Sequence, residues 1–123
     1  MKLKTGIIGL GRIGKIHLNN LLHQVHTAEV AAVSDISEEV LEEVESDFDL
    51  PQRVNITRDY REIMKDEDIE AVVITSPTPT HTEIIMEAVA ANKHIFCEKP
   101  VALKIENIKK VREAVKETDL TMA

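Results

Sequence analysis

The chain has 123 residues, of which 43% are apolar, and 15 Lys and Arg against 22 Asp and Glu give a formal charge of −7. That is enough apolar material for one core, while the negative balance and only three aromatics, Phe48, Tyr60 and Phe96, argue against nucleic acid as a partner. The single cysteine, Cys97, excludes an internal disulfide or a cysteine metal cluster, and no apolar run approaches the roughly 18 residues of a membrane-spanning helix, so the composition predicts a soluble cytoplasmic domain without a membrane partner.

All four glycines, Gly6, Gly9, Gly11 and Gly14, fall at the start of the chain. Residues 3–9 read as a buried strand. From Arg12 to His23 the apolar positions Ile13, Ile16 and Leu21 predict a helix, and the run Val30-Ala31-Ala32-Val33 a second strand within 29–34. Val40, Leu41, Val44 and Phe48 recur at helical spacing among acidic residues, so the acidic cluster at 38–49 reads as a solvated helix face. A short strand at 54–56 and a brief helix over 59–65 lead into the strand 71–75. Ser76-Pro77-Thr78-Pro79 stops that strand, and Thr80 followed by Glu83 predicts a capping box for a helix carrying Ile84, Ile85, Ala88 and Val89. Residues 94–97 form a further strand, Ile105, Ile108, Val111 and Val115 stripe a last helix, and 120–123 begin what reads as another strand. Strands apolar on both faces, alternating with helices, give an open, doubly wound α/β domain with a mostly parallel sheet. The chain stops four residues into that last strand, which points to truncation from a longer protein.

Gly9-Leu10-Gly11-Arg12-Ile13-Gly14 matches G-x-G-x-x-G in its required context. It follows a strand, opens a helix, and is followed 21 residues after Gly14 by an acid, Asp35, at the end of the next strand. Gly9 permits the tight turn, Gly11 admits a pyrophosphate to the backbone, and Gly14 lets helix and strand pack closely. The first N–H groups of the helix, beginning at Arg12 and Ile13, and its dipole then face the phosphates. Asp35 is placed to accept hydrogen bonds from both hydroxyls of an adenosine ribose, although Asp35 with Glu38 also has helix-capping spacing. An aspartate there repels a 2′-phosphate, and no Arg or Lys lies between Asp35 and Arg53, so NAD is expected over NADP. Two later segments, 75–81 and Cys97-Glu98-Lys99-Pro100, sit at carboxyl ends of strands, where such folds place ligands. His81 and Lys99 each admit a plain reading as solvated surface. The remaining histidines, His17, His23, His26 and His94, show no metal-ligand spacing, so no metal is expected.

Taken together, the 9–14 turn, Asp35, Ser76-Pro77-x-x-x-His81 and Glu98-Lys99-Pro100 resemble the N-terminal, Rossmann-type domain of the glucose–fructose oxidoreductase/inositol dehydrogenase (Gfo/Idh/MocA) family, in order and over the whole chain. The string Phe96-Cys97-Glu98-Lys99-Pro100-Val101-Ala102 is most similar to the inositol 2-dehydrogenase branch. The resemblance implies NAD-linked oxidation of a secondary hydroxyl of a polyol or sugar. In it Lys99 assists proton transfer at the reacting hydroxyl, and Ser76, Pro77, Thr78, His81 and Glu98 line the ribose and nicotinamide side. It also implies a cis Lys99-Pro100 bond and a homo-oligomeric parent. The family's larger C-terminal domain, which supplies its main catalytic histidine and most substrate contacts, has no counterpart here, so the chain is expected to bind cofactor without turnover. Two alternatives stay open: a nucleotide-sensing module without chemistry, and S-adenosylmethionine on the same turn.

Overall fold

The computed structural model describes residues 2–123. Five parallel strands form one sheet in the order β3-β2-β1-β4-β5, with β1 at Leu3–Ile8, β2 at Ala28–Ser34, β3 at Asn55–Thr57, β4 at Ala71–Ile74 and β5 at His94–Cys97. The connecting helices are α1 (Arg12–His23), α2 (Glu38–Asp47), α3 (Arg61–Lys65) and α4 (His81–Ala90), and α5 (Ile105–Lys116) follows β5.

Successive strand residues feed opposite layers, as the period of two requires. Ile7 and Val73 pack with Leu10, Leu18, Leu41 and Val44 beneath α1 and α2. Their chain neighbours Ile8, Val72 and Ile74 pack with Ile84, Ile85 and Val111 beneath α4 and α5. Burial on both faces is why these strands read as continuous apolar runs. Strand order reverses between β1 and β4, so the loops after these two strands diverge and leave a crevice at the carboxyl edge of the sheet.

Three expectations change in detail. The Thr80–Glu83 capping box does not form. Residues Thr78–Thr80 make a 3₁₀ turn that runs straight into α4, Thr80 Oγ1 donates to the Pro77 carbonyl at 2.6 Å, and Glu83 instead pairs with Arg61 on α3 at 3.1 Å. Helix α1 forms where expected, but Ile13 and Ile16 are 42% and 48% exposed, and its buried face is Gly14 and Leu18. Residues 120–123 make a single parallel bridge, Met122 beside Ile95, rather than a full strand. That segment lies along the free edge of β5, where the Cys97 N–H donates to the Ala123 carbonyl at 2.9 Å.

Candidate nucleotide-binding site

The crevice is built first from the turn between β1 and α1. Gly9 has φ +95, and a Cβ there would lie 2.4 Å from the Ser76 amide nitrogen. A Cβ on Gly14 would lie 2.0 Å from the Gly9 carbonyl oxygen. The same carbonyl accepts the Thr75 hydroxyl at 2.6 Å, which ties the turn to the end of β4. Those two glycines are therefore required by the protein's own packing. Gly11 is not: a Cβ there would meet nothing within 4 Å. It is the N-cap of α1 and offers no side-chain cap, so the first N–H groups, from Arg12 and Ile13 onward, stay open to an external acceptor. Helix α1 also has no acid in its first turn, whereas α2, α3, α4 and α5 carry Glu38 and Glu39, Glu62, Glu83 and Glu106 there. Open donors, an uncompensated positive helix end and free space over Gly11 fit a pyrophosphate.

Asp35 lies half-buried at the end of β2. Its Oδ2 accepts the Leu10 N–H at 2.8 Å and its Oδ1 the Ser37 N–H at 2.9 Å. The carboxylate thus buttresses the glycine turn, and the remaining lone pairs are free for ribose hydroxyls. The capping reading of Asp35 with Glu38 is corrected: the N-cap of α2 is Ser37, whose hydroxyl accepts the Val40 N–H at 3.3 Å. Sequence spacing left this corner without a cation, but the fold brings Arg58 to it, with Nε donating to the Ile36 carbonyl at 3.3 Å.

The second wall comes from the turns after β4 and β5. Ser76 Oγ donates to Thr80 Oγ1 at 2.8 Å, because the Thr80 hydroxyl proton is engaged by Pro77. Pro77 is exposed and Thr78 half-buried on this turn. His81 is not surface: it is 2% exposed, with Nε2 2.8 Å from the Ser76 carbonyl and Nδ1 3.0 Å from the Pro100 carbonyl. The Lys99-Pro100 peptide is cis, as the resemblance implied. Glu98 lies 3.3 Å from His17 Nε2 on α1, and the His17 ring packs edge-on against Phe96 at 5.1 Å. Lys99 between them is exposed. Burial, then Glu98, pushes the neighbouring Cys97 thiol up to about 11, so it stays a neutral thiol near neutral pH.

The residues read from the sequence therefore converge on one edge of the sheet, except that His81 lies beneath that edge. The particular contacts of Thr75, which the sequence places only within the segment 75–81, and of His17, which it sets aside as a metal ligand, come from the fold, since an isolated threonine or histidine carries no spacing signal. A cavity of about 650 Å³ lies elsewhere, over the α1 face of β4 and β5 and walled by apolar side chains such as Leu21, Val73 and Phe96. It has none of the glycine-turn donors and is not the nucleotide crevice. Among the described residues no cluster of three or more His, Cys, Asp or Glu is placed to hold a metal, and no helix is long and apolar enough to cross a membrane.

Residues 3–123 match the oxidoreductase family, NAD-binding Rossmann fold. The chain is 41% identical over 121 residues to the uncharacterized oxidoreductase YrbE of Bacillus subtilis, covering 98% of this chain and 34% of that protein. It is 34% identical to the myo-inositol 2-dehydrogenase of Thermotoga maritima, covering 98% of this chain and 35% of that one. The crystal structure of scyllo-inositol dehydrogenase from Lactobacillus casei, with bound NAD(H) and scyllo-inositol, superposes with a TM-score of 0.89 at 31% identity, over 100% of this chain and 36% of that one. The chain thus spans about a third of the length of these relatives. A five-stranded parallel sheet, a glycine turn with one glycine open to a ligand, and this match over nearly every residue place the chain in the Gfo/Idh/MocA oxidoreductase family as its NAD-binding Rossmann domain.

Proposed function

We propose that this domain is the cofactor half of a longer, two-domain, homo-oligomeric cytoplasmic dehydrogenase that oxidises a secondary hydroxyl of an inositol-like polyol or sugar. The observation that carries the reading is Lys99. It is an exposed cation at the carboxyl end of β5, between two anchored neighbours, and the Glu98–His17 contact puts its turn beside the helix that opens at the glycine turn. The relatives named as inositol dehydrogenases support the substrate class.

In this reading residues 9–14 receive the pyrophosphate on the backbone N–H groups at the start of α1, with Gly11 giving close approach. Asp35 accepts from the adenosine ribose hydroxyls and repels a 2′-phosphate. Ser76, Pro77, Thr78 and Glu98 line the nicotinamide ribose, and His81 supports that wall from below. Bound NAD supplies the hydride acceptor. Lys99 donates a hydrogen bond to the substrate oxygen, orients it and stabilises the negative charge that develops there, while the hydroxyl proton passes to the catalytic histidine that the resemblance implies in the C-terminal domain and the hydride passes to NAD.

Calorimetric titration with NAD⁺, NADH, NADP⁺ and S-adenosylmethionine tests the cofactor, and NADH formation from inositols by the full-length polypeptide tests the reaction. Selective NAD(H) binding with inositol-dependent NADH formation is expected. NAD(H) binding with no turnover on any polyol or sugar would refute the substrate class and leave the cofactor assignment intact.

A further inference from the structure

We infer that His81 is a positioning residue, a buried brace that fixes the Glu98-Lys99-Pro100 turn against the turn after β4 and so sets where Lys99 is presented; the inference rests on the dehydrogenase reading above. The last backbone link between β4 and β5 is the Glu98 N–H donating to the Ile74 carbonyl at 3.0 Å. Beyond that point both chains leave the sheet, and the two turns that wall the nicotinamide side need another tie. His81 supplies it. Its ring nitrogens reach the Ser76 carbonyl at 2.8 Å and the Pro100 carbonyl at 3.0 Å, one from each turn.

Packing alone does not ask for a histidine here. The other buried positions of α4 are Ile84, Ile85 and Ala88, and an apolar ring would fill the same space. What an apolar ring lacks is a donor. A neutral imidazole donates to one of the two carbonyls at a time, and a ring with both nitrogens protonated donates to both. Without the ring the turns lose the side-chain donor at their base, and the loss of one such hydrogen bond costs about 1 kcal/mol. The turn is also held from its other side, by His17 on the Glu98 carboxylate. Lys99 is left between one residue fixed through its side chain and one fixed through its carbonyl, so its own side chain is the mobile part of the turn.

The adenosine side does not share this brace. It is held by Gly9, Gly14, Thr75 and Asp35 through contacts that do not pass through His81. The two halves of the cofactor therefore report separately. Calorimetry on this chain with NAD⁺ and with ADP, which lacks both the nicotinamide and its ribose, compares wild type with His81→Phe and with His81→Gln, which keeps an amide donor. Wild type is expected to favour NAD⁺. His81→Phe should weaken NAD⁺ by about five- to tenfold with ADP affinity unchanged, and His81→Gln should recover part of the loss. If His81→Phe does not fold, the same selective but smaller loss is expected in His81→Gln. A preserved NAD⁺ preference in the variants, or a parallel loss for both ligands, would overturn the brace while leaving the dehydrogenase reading standing. Equal wild-type affinities for NAD⁺ and ADP would refute the nicotinamide wall itself, and the brace with it.

Discussion

Replacing Gly11 by Ala adds one methyl group where no protein atom lies within 4 Å, at φ −69 and ψ −162, a conformation alanine adopts without strain. The poorer N-cap costs up to about 1 kcal/mol and the smaller unfolded-state entropy of alanine returns about 0.4–1 kcal/mol, so Tm should stay within about 2 °C of wild type. Gly14→Ala is the opposite case. Its Cβ would lie 2.0 Å from the Gly9 carbonyl oxygen, and since Cβ contacts under 3.0 Å essentially do not occur, α1 must retreat by about 1 Å from a backbone atom that cannot swing aside. Overpacking against backbone falls at the upper end of the usual 1–3 kcal/mol, so Tm should drop by roughly 10 °C. Ligand binding separates the two further. NAD⁺ at about 100 times its dissociation constant stabilises the native state by about 2.7 kcal/mol, and a tenfold loss of affinity at the same concentration reduces that to about 1.4 kcal/mol. Gly11→Ala is expected to show that loss at nearly wild-type Tm, because the methyl occupies the space left for the pyrophosphate. Thermal denaturation with and without NAD⁺, checked by calorimetry, reads both quantities. Wild-type NAD⁺ affinity in Gly11→Ala would refute the assignment of that space to the cofactor.

Asp35→Ala should weaken NAD⁺ binding more than NADP⁺ binding, since it removes the ribose acceptor and the repulsion of a 2′-phosphate while Arg58 remains beside Ile36; an unchanged NAD⁺/NADP⁺ ratio in titrations would sink the ribose role. The same variant strips the buried Leu10 N–H of its acceptor, so a stability loss of about 1–2 kcal/mol should appear in denaturant melts. Lys99→Ala should leave Tm and NAD⁺ affinity near wild type, because the side chain is exposed, yet abolish most polyol-dependent NADH formation in the full-length polypeptide; turnover near wild type would remove it from the chemistry. The Cys97 thiol, raised from 9.0 to about 11 by burial and Glu98, keeps its proton in the folded state after the unfolded chain has lost it. Wild type should therefore lose stability between about pH 9 and 11, roughly 1 kcal/mol at pH 10, relative to Cys97→Ala. Burial lowers the Lys93 pKa and gives the opposite slope, but in both proteins, so it cancels in the difference. Parallel stability curves across that range would contradict the burial assigned to the thiol.

The parts of this fold legible in the sequence are those set by short-range pattern. Continuous apolar runs such as 71–74 announced strands buried on both faces, and glycine spacing announced the turn. What stayed illegible depends on neighbours distant in the chain. The capping box at Thr80 failed because the 3₁₀ turn took the hydroxyl for the Pro77 carbonyl and Arg61 took Glu83. Ile13 and Ile16 have helical spacing, yet they are exposed because the close approach of α1 to β1 goes through Gly14 and Leu18. His81 reads as surface by composition and is buried because two turns, 19 residues apart at Pro100 and five at Ser76, converge on it. Arg58 reaches the Asp35 corner only because β3 lies beside β2.

A domain of formal charge −7 binds a dianionic pyrophosphate only if the field is local, and the structure shows how it is made so. Four helices place an acid in the first turn and neutralise their own positive ends; α1 does not. The nearby carboxylate, Asp35, is occupied by the Leu10 and Ser37 N–H groups, so it is held at the corner proposed for the ribose and does not cap the open N–H groups of α1. Both anchors therefore stand in position before a ligand arrives, and binding needs little reordering of the turn, which is where affinity is otherwise lost. The same economy bears on the glycines: Gly9 and Gly14 are small because the protein's own backbone crowds them, whereas the space over Gly11 is left open, as the proposed pyrophosphate seat requires.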